Sequence, residues 1–146
     1  MKKFMFRFFF VLFTLTIIGI QYIEVERTNP PVKYDLKAPN EIKNIFKNAC
    51  YDCHSFETKW PWYSKVAPVS WIIIGHVDEG RKHLNFSQWE SLDSGKKEDL
   101  KKEIWEQLVN DGMPLKAYTY LHAGATLEVT QKNVLKKWLH STRYLN

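Results

Sequence analysis

Cysteine is scarce in this chain: of 146 residues, only Cys50 and Cys53 carry a thiol. A framework of several disulfides is therefore excluded, and so is a closed four-cysteine zinc site. Beyond Met1 and Met5 there is one methionine, Met113, and there is no acidic residue before Glu24. Glycine is limited to 6 scattered residues, with none of the clustering that a phosphate-cradling loop needs. No stretch alternates polar and apolar residues as a half-buried strand would, which leaves helix as the regular element the pattern supports. Internal repeats, low-complexity tracts and a Ser/His/Asp arrangement are also missing.

The opening "MKKFMFRFFFVLFTLTIIGIQYIEVERTNPPV" has a different character from the rest. Lys2, Lys3 and Arg7 precede an uncharged apolar run from Phe8 to Ile20 that continues to Ile23, the pattern of a targeting segment rather than of a core. Gln21, Tyr22 and Ile23 are large where a cleavage site wants small residues, so residues 1–23 read as a retained signal-anchor, with a cleaved signal peptide as the alternative. The run is slightly shorter than the roughly 20 apolar residues that span a bilayer, although Phe4 and Met5 lengthen it. Because the basic residues lead, the positive-inside rule keeps the N-terminus in the cytoplasm and exports the remainder. The expectation is a single-pass protein of the cytoplasmic membrane with its domain on the periplasmic, extracytoplasmic side.

The net charge of +5 needs the same division. Setting Lys2, Lys3 and Arg7 aside from 21 basic residues leaves 18 against 16 acidic ones, a domain charge of +2. That is no nucleic-acid footprint. Lys96, Lys97, Lys101, Lys102, Lys132, Lys136 and Lys137 read as a solvated helix face, a docking patch for an acidic partner being the alternative.

Residues 24–39, with Pro30, Pro31 and Pro39, read as an extended linker, and residues 40–146 as the domain. Asn40 is expected to cap a helix whose positions Ile42, Ile45, Phe46 and Ala49 share one face and lead into Cys50. Pro68 opens a second helix, with Val69, Ile72, Ile73, His76, Val77, Gly80 and Leu84 as its buried stripe. Ser87 and Glu90 suggest a capping box. Asp93 or Ser94 caps a third helix with Leu100, Ile104, Trp105 and Leu108 on its apolar face, stopped at Asp111 and Gly112. Residues 113–129 read as a loop with room for one short helical turn. Thr130 is expected to cap a last helix carrying Val134, Leu135, Trp138 and Leu139. The fold class is a small all-α domain.

Cys50-Tyr51-Asp52-Cys53-His54 is the C-x-x-C-H pattern of covalent c-type haem attachment. Two thiols two residues apart at a helix end can reach the vinyl groups on one edge of a porphyrin, while the adjacent imidazole presents a neutral nitrogen to the iron. Two alternatives stay open: a redox-active dithiol, which normally sits in a strand-then-helix context, and half a zinc site, which wants a second pair of ligands. Met113, in "DGMPL", stands where Pro114 would stiffen a loop and aim a thioether as the sixth ligand; the bland reading is a gap-filling core methionine. His76 reads as a core histidine that also has the option of packing against haem or ligating iron. His122 is a weaker candidate, and His83 and His140 read as surface residues.

With "CYDCHS" stand "WPWYSKVAPVSW", "HVDEGRKHLNFSQW", "DGMPLKAY" and "LKKWL". Together they resemble the haem-binding domain family of exported bacterial proteins related to cytochrome c. The resemblance implies a membrane-tethered, cytochrome c-like helical domain wrapped around one haem c. That haem would be covalently held by Cys50 and Cys53, with His54 proximal and Met113 distal. On that reading Trp60, Trp62, Tyr63 and Trp71 would wall the haem and Arg81 would bond its propionates, ordinary core and loop packing being the alternative. The function expected is that of a non-enzymatic monohaem electron carrier meeting transient redox protein partners. A haem-based redox or gas sensor and an exported haem-free dithiol oxidoreductase are the competing readings. Haem would add apolar surface to a limited core, so the apoprotein is expected to be poorly ordered.

Overall fold

The computed structural model describes residues 1–141, and among them the only regular elements are helices. They are α1 (Lys2–Ile20), α2 (Asn40–Ala49), α3 (Tyr51–His54), α4 (Val69–His83), α5 (Ser94–Val109), α6 (Lys116–Leu121) and α7 (Val129–Leu139), with short 3-10 turns at Trp62–Lys65, Phe86–Ser91 and Ala123–Ala125. The all-α expectation holds.

α1 stands apart from the rest, with none of its residues buried. Its 19 residues contain an 18-residue stretch with a mean hydropathy of 1.9, long and apolar enough to cross a membrane. α2, α3, α5 and α7 close around an aromatic core. Phe46 of α2 lies 4.7 Å from Phe86, ring centre to ring centre, and 5.7 Å from Trp138 of α7, while Tyr51 stacks on Phe86 at 5.2 Å. Leu100, Ile104 and Leu108 bring α5 into the same cluster, as the sequence periodicity predicts.

The linker is not free. Leu36 is buried in the core, its N–H donates to Phe86 O at 2.9 Å, and the carbonyl of Tyr34 accepts from Glu90 N. Residues 24–39 are extended, as three prolines demand, but strapped to the domain along their length.

Several local expectations are corrected. Asn40 does not cap α2; Pro39 holds the N-cap position and Asn40 is the first helical residue. The 86–91 turn is capped by the Asn85 side chain, which accepts from Ser87 N, whereas Ser87 Oγ accepts from Phe56 N. Of the two caps expected for α5, Asp93 takes the role, as one of the alternatives had it. At α7 the capping box is Glu128 with Gln131, so Thr130 lies inside the helix. The predicted loop after Pro114 contains α6 and a 3-10 turn. Asp111 does stop α5, with a left-handed φ of 51°.

The buried stripe of α4 is also different, consisting of Ser70, Ile74, Val77 and Gly80. Val69, Ile72 and His76 are exposed. An unbroken run of apolar residues from Trp71 to Ile74 offers more than one plausible face, and the small residues Ser70 and Gly80 decide which one packs closely. Lys101, expected on a solvated face, is 2% exposed; its ammonium pairs with Glu98 at 3.1 Å, donates to Ser141 O and lies over the Trp138 ring.

Candidate functional site

The two cysteines sit at a break in the helix. The Cys50 N–H still bonds Phe46 O at the end of α2, and its carbonyl accepts from the N–H groups of Cys53 and His54, starting the single turn of α3. Burial of Phe46, Ala49 and Tyr51 anchors the turn on both sides. Tyr51 OH donates to Asp35 Oδ1 at 3.0 Å, and Ser55 Oγ donates back to Tyr51 O at 2.7 Å.

α4 packs directly against this turn, which its glycine makes possible. A Cβ on Gly80 would fall 2.6 Å from the carbonyl oxygen and 3.3 Å from the Cβ of Cys53. Gly80 also contributes its carbonyl, which, with that of Leu84, accepts from His54 Nδ1 at 2.9 and 3.1 Å. Two carbonyl acceptors require the proton on Nδ1, so Nε2 is the lone-pair nitrogen. Burial lowers the pKa of His54 and keeps the imidazole neutral, the form in which it can ligate a metal.

Cys50, Cys53 and His54 line one cavity together with Met113. Its volume, ≈530 Å³, is in the range of small-molecule and cofactor sites. The interior is apolar, furnished by Phe46, Phe86, Leu100, Ile104, Leu108 and Leu115. Glu79, Glu103, Glu106, His76 and His83 also line it, and His83 is largely solvent-exposed. Burial pushes the Cys50 thiol up to about 12 and the Cys53 thiol up to about 11; Cys53 adds to the rise at Cys50, while at Cys53 Asp52 adds to it and Arg81 opposes it. Both are therefore protonated thiols at neutral pH.

Met113 reaches the cavity because α5 ends at Val109 and the chain turns at Asp111. The loop that follows is fastened to the cysteine turn: Tyr118 OH of α6 donates to Asp52 Oδ2 at 2.7 Å, while Asp52 Oδ1 accepts from Lys59 N. Burial and the Asp52 carboxylate raise the Tyr118 pKa, so it remains a donor. His122 stacks on Tyr118 at 4.3 Å and its Nε2 is 3.2 Å from Tyr63 OH.

The haem-binding domain family matches residues 15–141. The chain belongs to that family. No curated protein and no solved structure matches it. The family assignment means that this domain binds haem, and the cavity suits such a ligand: two thiols and a neutral imidazole on one wall, a thioether also lining it, and an apolar interior. For a haem-binding domain the surprise is what stands elsewhere. Trp60, Trp62, Tyr63, Trp71 and Arg81, expected around the haem, are not among the lining residues. Arg81 is turned toward the linker and the cysteine loop, donating to Ser55 O at 2.8 Å, Thr28 O at 3.0 Å, and Asn29 Oδ1 and Thr58 Oγ1 at 2.9 Å each. Phe46, Phe86 and Tyr118 supply the aromatic lining instead. Phe46 was visible in the sequence as a core position, but nothing local marks Phe86 or Tyr118. His76 is an exposed lining residue rather than a core histidine, and His83 is on the surface, as expected, while also lining the cavity.

Proposed function

We propose that this protein is a membrane-anchored monohaem c-type electron carrier, with the haem domain on the extracytoplasmic side and no enzymatic activity of its own. The observation that carries the reading is that Cys50, Cys53, His54 and Met113 line the same cavity. The two cysteines would hold haem c through thioethers, His54 Nε2 would be the proximal ligand and Met113 Sδ the distal one. When bound, haem supplies the Fe(III)/Fe(II) couple, and thioether-plus-imidazole ligation holds its potential high relative to two imidazoles.

The chain's own residues prepare the site. Gly80 and Leu84 fix the tautomer and tilt of His54, and the apolar side chains that line the cavity would lower the local dielectric around a bound haem. The dithiol reading loses support from the cysteines themselves: a redox-active pair needs a low-pKa thiolate in an electropositive setting, and burial drives both of these thiols the other way. For the anchor, support comes from α1 and from a family match that begins inside it.

The deciding experiment is a pyridine haemochrome spectrum on denatured, acid-acetone-extracted protein made with haem-attachment machinery. Wild type is expected to retain haem and the Cys50→Ala, Cys53→Ala variant to lose it; a wild-type chain that releases its haem overturns covalent attachment. Met113→Ala then tests the sixth ligand. The sulfur-to-iron charge-transfer band at the red end of the oxidised spectrum should disappear and the reduced protein should bind carbon monoxide, whereas an unchanged spectrum removes Met113 from the iron.

A further inference from the structure

The aromatic loop that the haem cavity does not use forms an exposed apolar surface of its own. Trp62, Val66, Val69 and Ile72 are 76%, 42%, 43% and 59% exposed. Val69 and Ile72 share one face of the first turns of α4, and the 3-10 turn that carries Trp62 packs against that helix. From Thr58 to Val77 the chain contains no aspartate or glutamate, only Lys59 and Lys65. Clustered apolar side chains of this size on one face indicate an interaction surface.

Two observations identify what covers it. First, α1 ends at this loop. Gln21, the residue after α1, clamps Ala67 from both sides, its Nε2 donating to Ala67 O and its Oε1 accepting from Ala67 N, each at 3.0 Å. Arg27 donates to Ser64 O at 3.3 Å, and the linker continues along the domain from there. Second, tryptophan and tyrosine beside aliphatic residues and lysines, without acid, is the composition that settles at the boundary between lipid headgroups and acyl chains.

We infer that the 62–72 surface docks on the bilayer that α1 crosses, with Trp62, Val66, Val69 and Ile72 at headgroup depth and Lys65 reaching lipid phosphate. The inference rests on the reading of α1 as a retained anchor. Docking would orient the haem domain instead of leaving it on a tether. The cavity-lining positions of α4, His76 to His83, lie roughly 10 to 20 Å farther along the helix than Val69.

The test uses the full haem-loaded chain labelled with 5-fluorotryptophan in nanodiscs of phosphatidylcholine and phosphatidylglycerol, with and without 5-doxyl phosphatidylcholine. Single Trp→Phe variants at Trp60, Trp62, Trp71, Trp89 and Trp105 assign five of the six fluorine resonances and leave the sixth to Trp138. The doxyl lipid is expected to cut the Trp62 signal several-fold, to weaken that of Trp71, and to spare buried Trp89 and Trp138. In a Val66→Ser, Ile72→Ser variant the Trp62 loss should shrink by at least half. Alkaline carbonate extraction of native membranes separates the two readings. A chain that stays in the membrane while Trp62 is no more affected than Trp89 overturns docking and leaves the anchor standing; a chain released by carbonate overturns both. A Trp62 signal insensitive to doxyl lipid but dependent on protein concentration replaces the bilayer with a second copy of the chain.

Discussion

Gly80 shows how one backbone position can serve both helix packing and the orientation of His54. Its φ is not positive, so the requirement is not conformational; it is the 2.6 Å approach to the Cys53 carbonyl that a side chain would create. Gly75, on the same helix, provides the control, because a Cβ there meets nothing within 4 Å. Helix propensity alone would make alanine stabilising at both positions by about 0.5–1 kcal/mol. At Gly80 the contact is with backbone and cannot be relieved by rotating a side chain, so an overpacking cost of about 1–3 kcal/mol outweighs that gain. In haem-loaded protein, thermal melts should show Gly75→Ala shifted upward by a few degrees and Gly80→Ala shifted downward. A Gly80→Ala protein as stable as Gly75→Ala would show that α4 does not press on the cysteine turn.

Among the elements, α6 is the one that ties the Met113 loop to the cysteine turn. The Tyr118–Asp52 hydrogen bond joins a six-residue helix directly after Met113 to the second spacer position of C-x-x-C-H. A bond to a charged acceptor is worth about 1.5–3 kcal/mol, and Tyr118→Phe removes it while leaving the ring in place. The expected outcome is destabilisation at the lower end of that range, since Asp52 keeps its bond from Lys59 N and regains water on the exposed side. If Met113 ligates iron, the same variant should bind added imidazole several-fold more tightly, because the loop carrying the thioether swings away more easily. Unchanged imidazole affinity with an unchanged melting temperature would mean the bond holds nothing.

The same scale explains what could be read without coordinates. α2, α5 and α7 were legible because each has one narrow apolar stripe, and the position of Cys50 at the end of α2 followed from Ile42, Ile45, Phe46 and Ala49. The register of α4 was not, because Trp71, Ile72, Ile73 and Ile74 are apolar in succession and part of that surface is left uncovered by the domain. The capping residues were missed where Glu128 and Asn85 took roles assigned to Thr130 and Ser87; several side chains there are chemically able to accept the same N–H, and only the path of the preceding backbone selects one. Lys101 looked solvated because a lysine between acids usually is, and only the packing of Trp138 against α5 encloses it.

For the whole molecule, the decisive fact is that the cavity at the cysteine turn and the hydrophobic core share walls. Phe46, Phe86, Leu100, Ile104 and Leu108 belong to the buried cluster and also line the cavity. A volume of ≈530 Å³ is several times the roughly 150 Å³ dry cavity that an engineered core can sustain. A domain of this size has only about 5–15 kcal/mol of net stability from which to tolerate the loss of contacts on one side of five core residues. The helices themselves depend on capping and on local hydrogen bonds that survive without haem, such as those of Asp93 and Glu128. Haem-free Cys50→Ala, Cys53→Ala protein is therefore expected to keep most of its far-ultraviolet helical signal, lose near-ultraviolet structure from its tryptophans, and bind anilinonaphthalene sulfonate. A haem-free chain that melts as sharply as the loaded protein and binds no dye would mean that the core closes on its own, and that haem is a passenger in the fold rather than part of its interior.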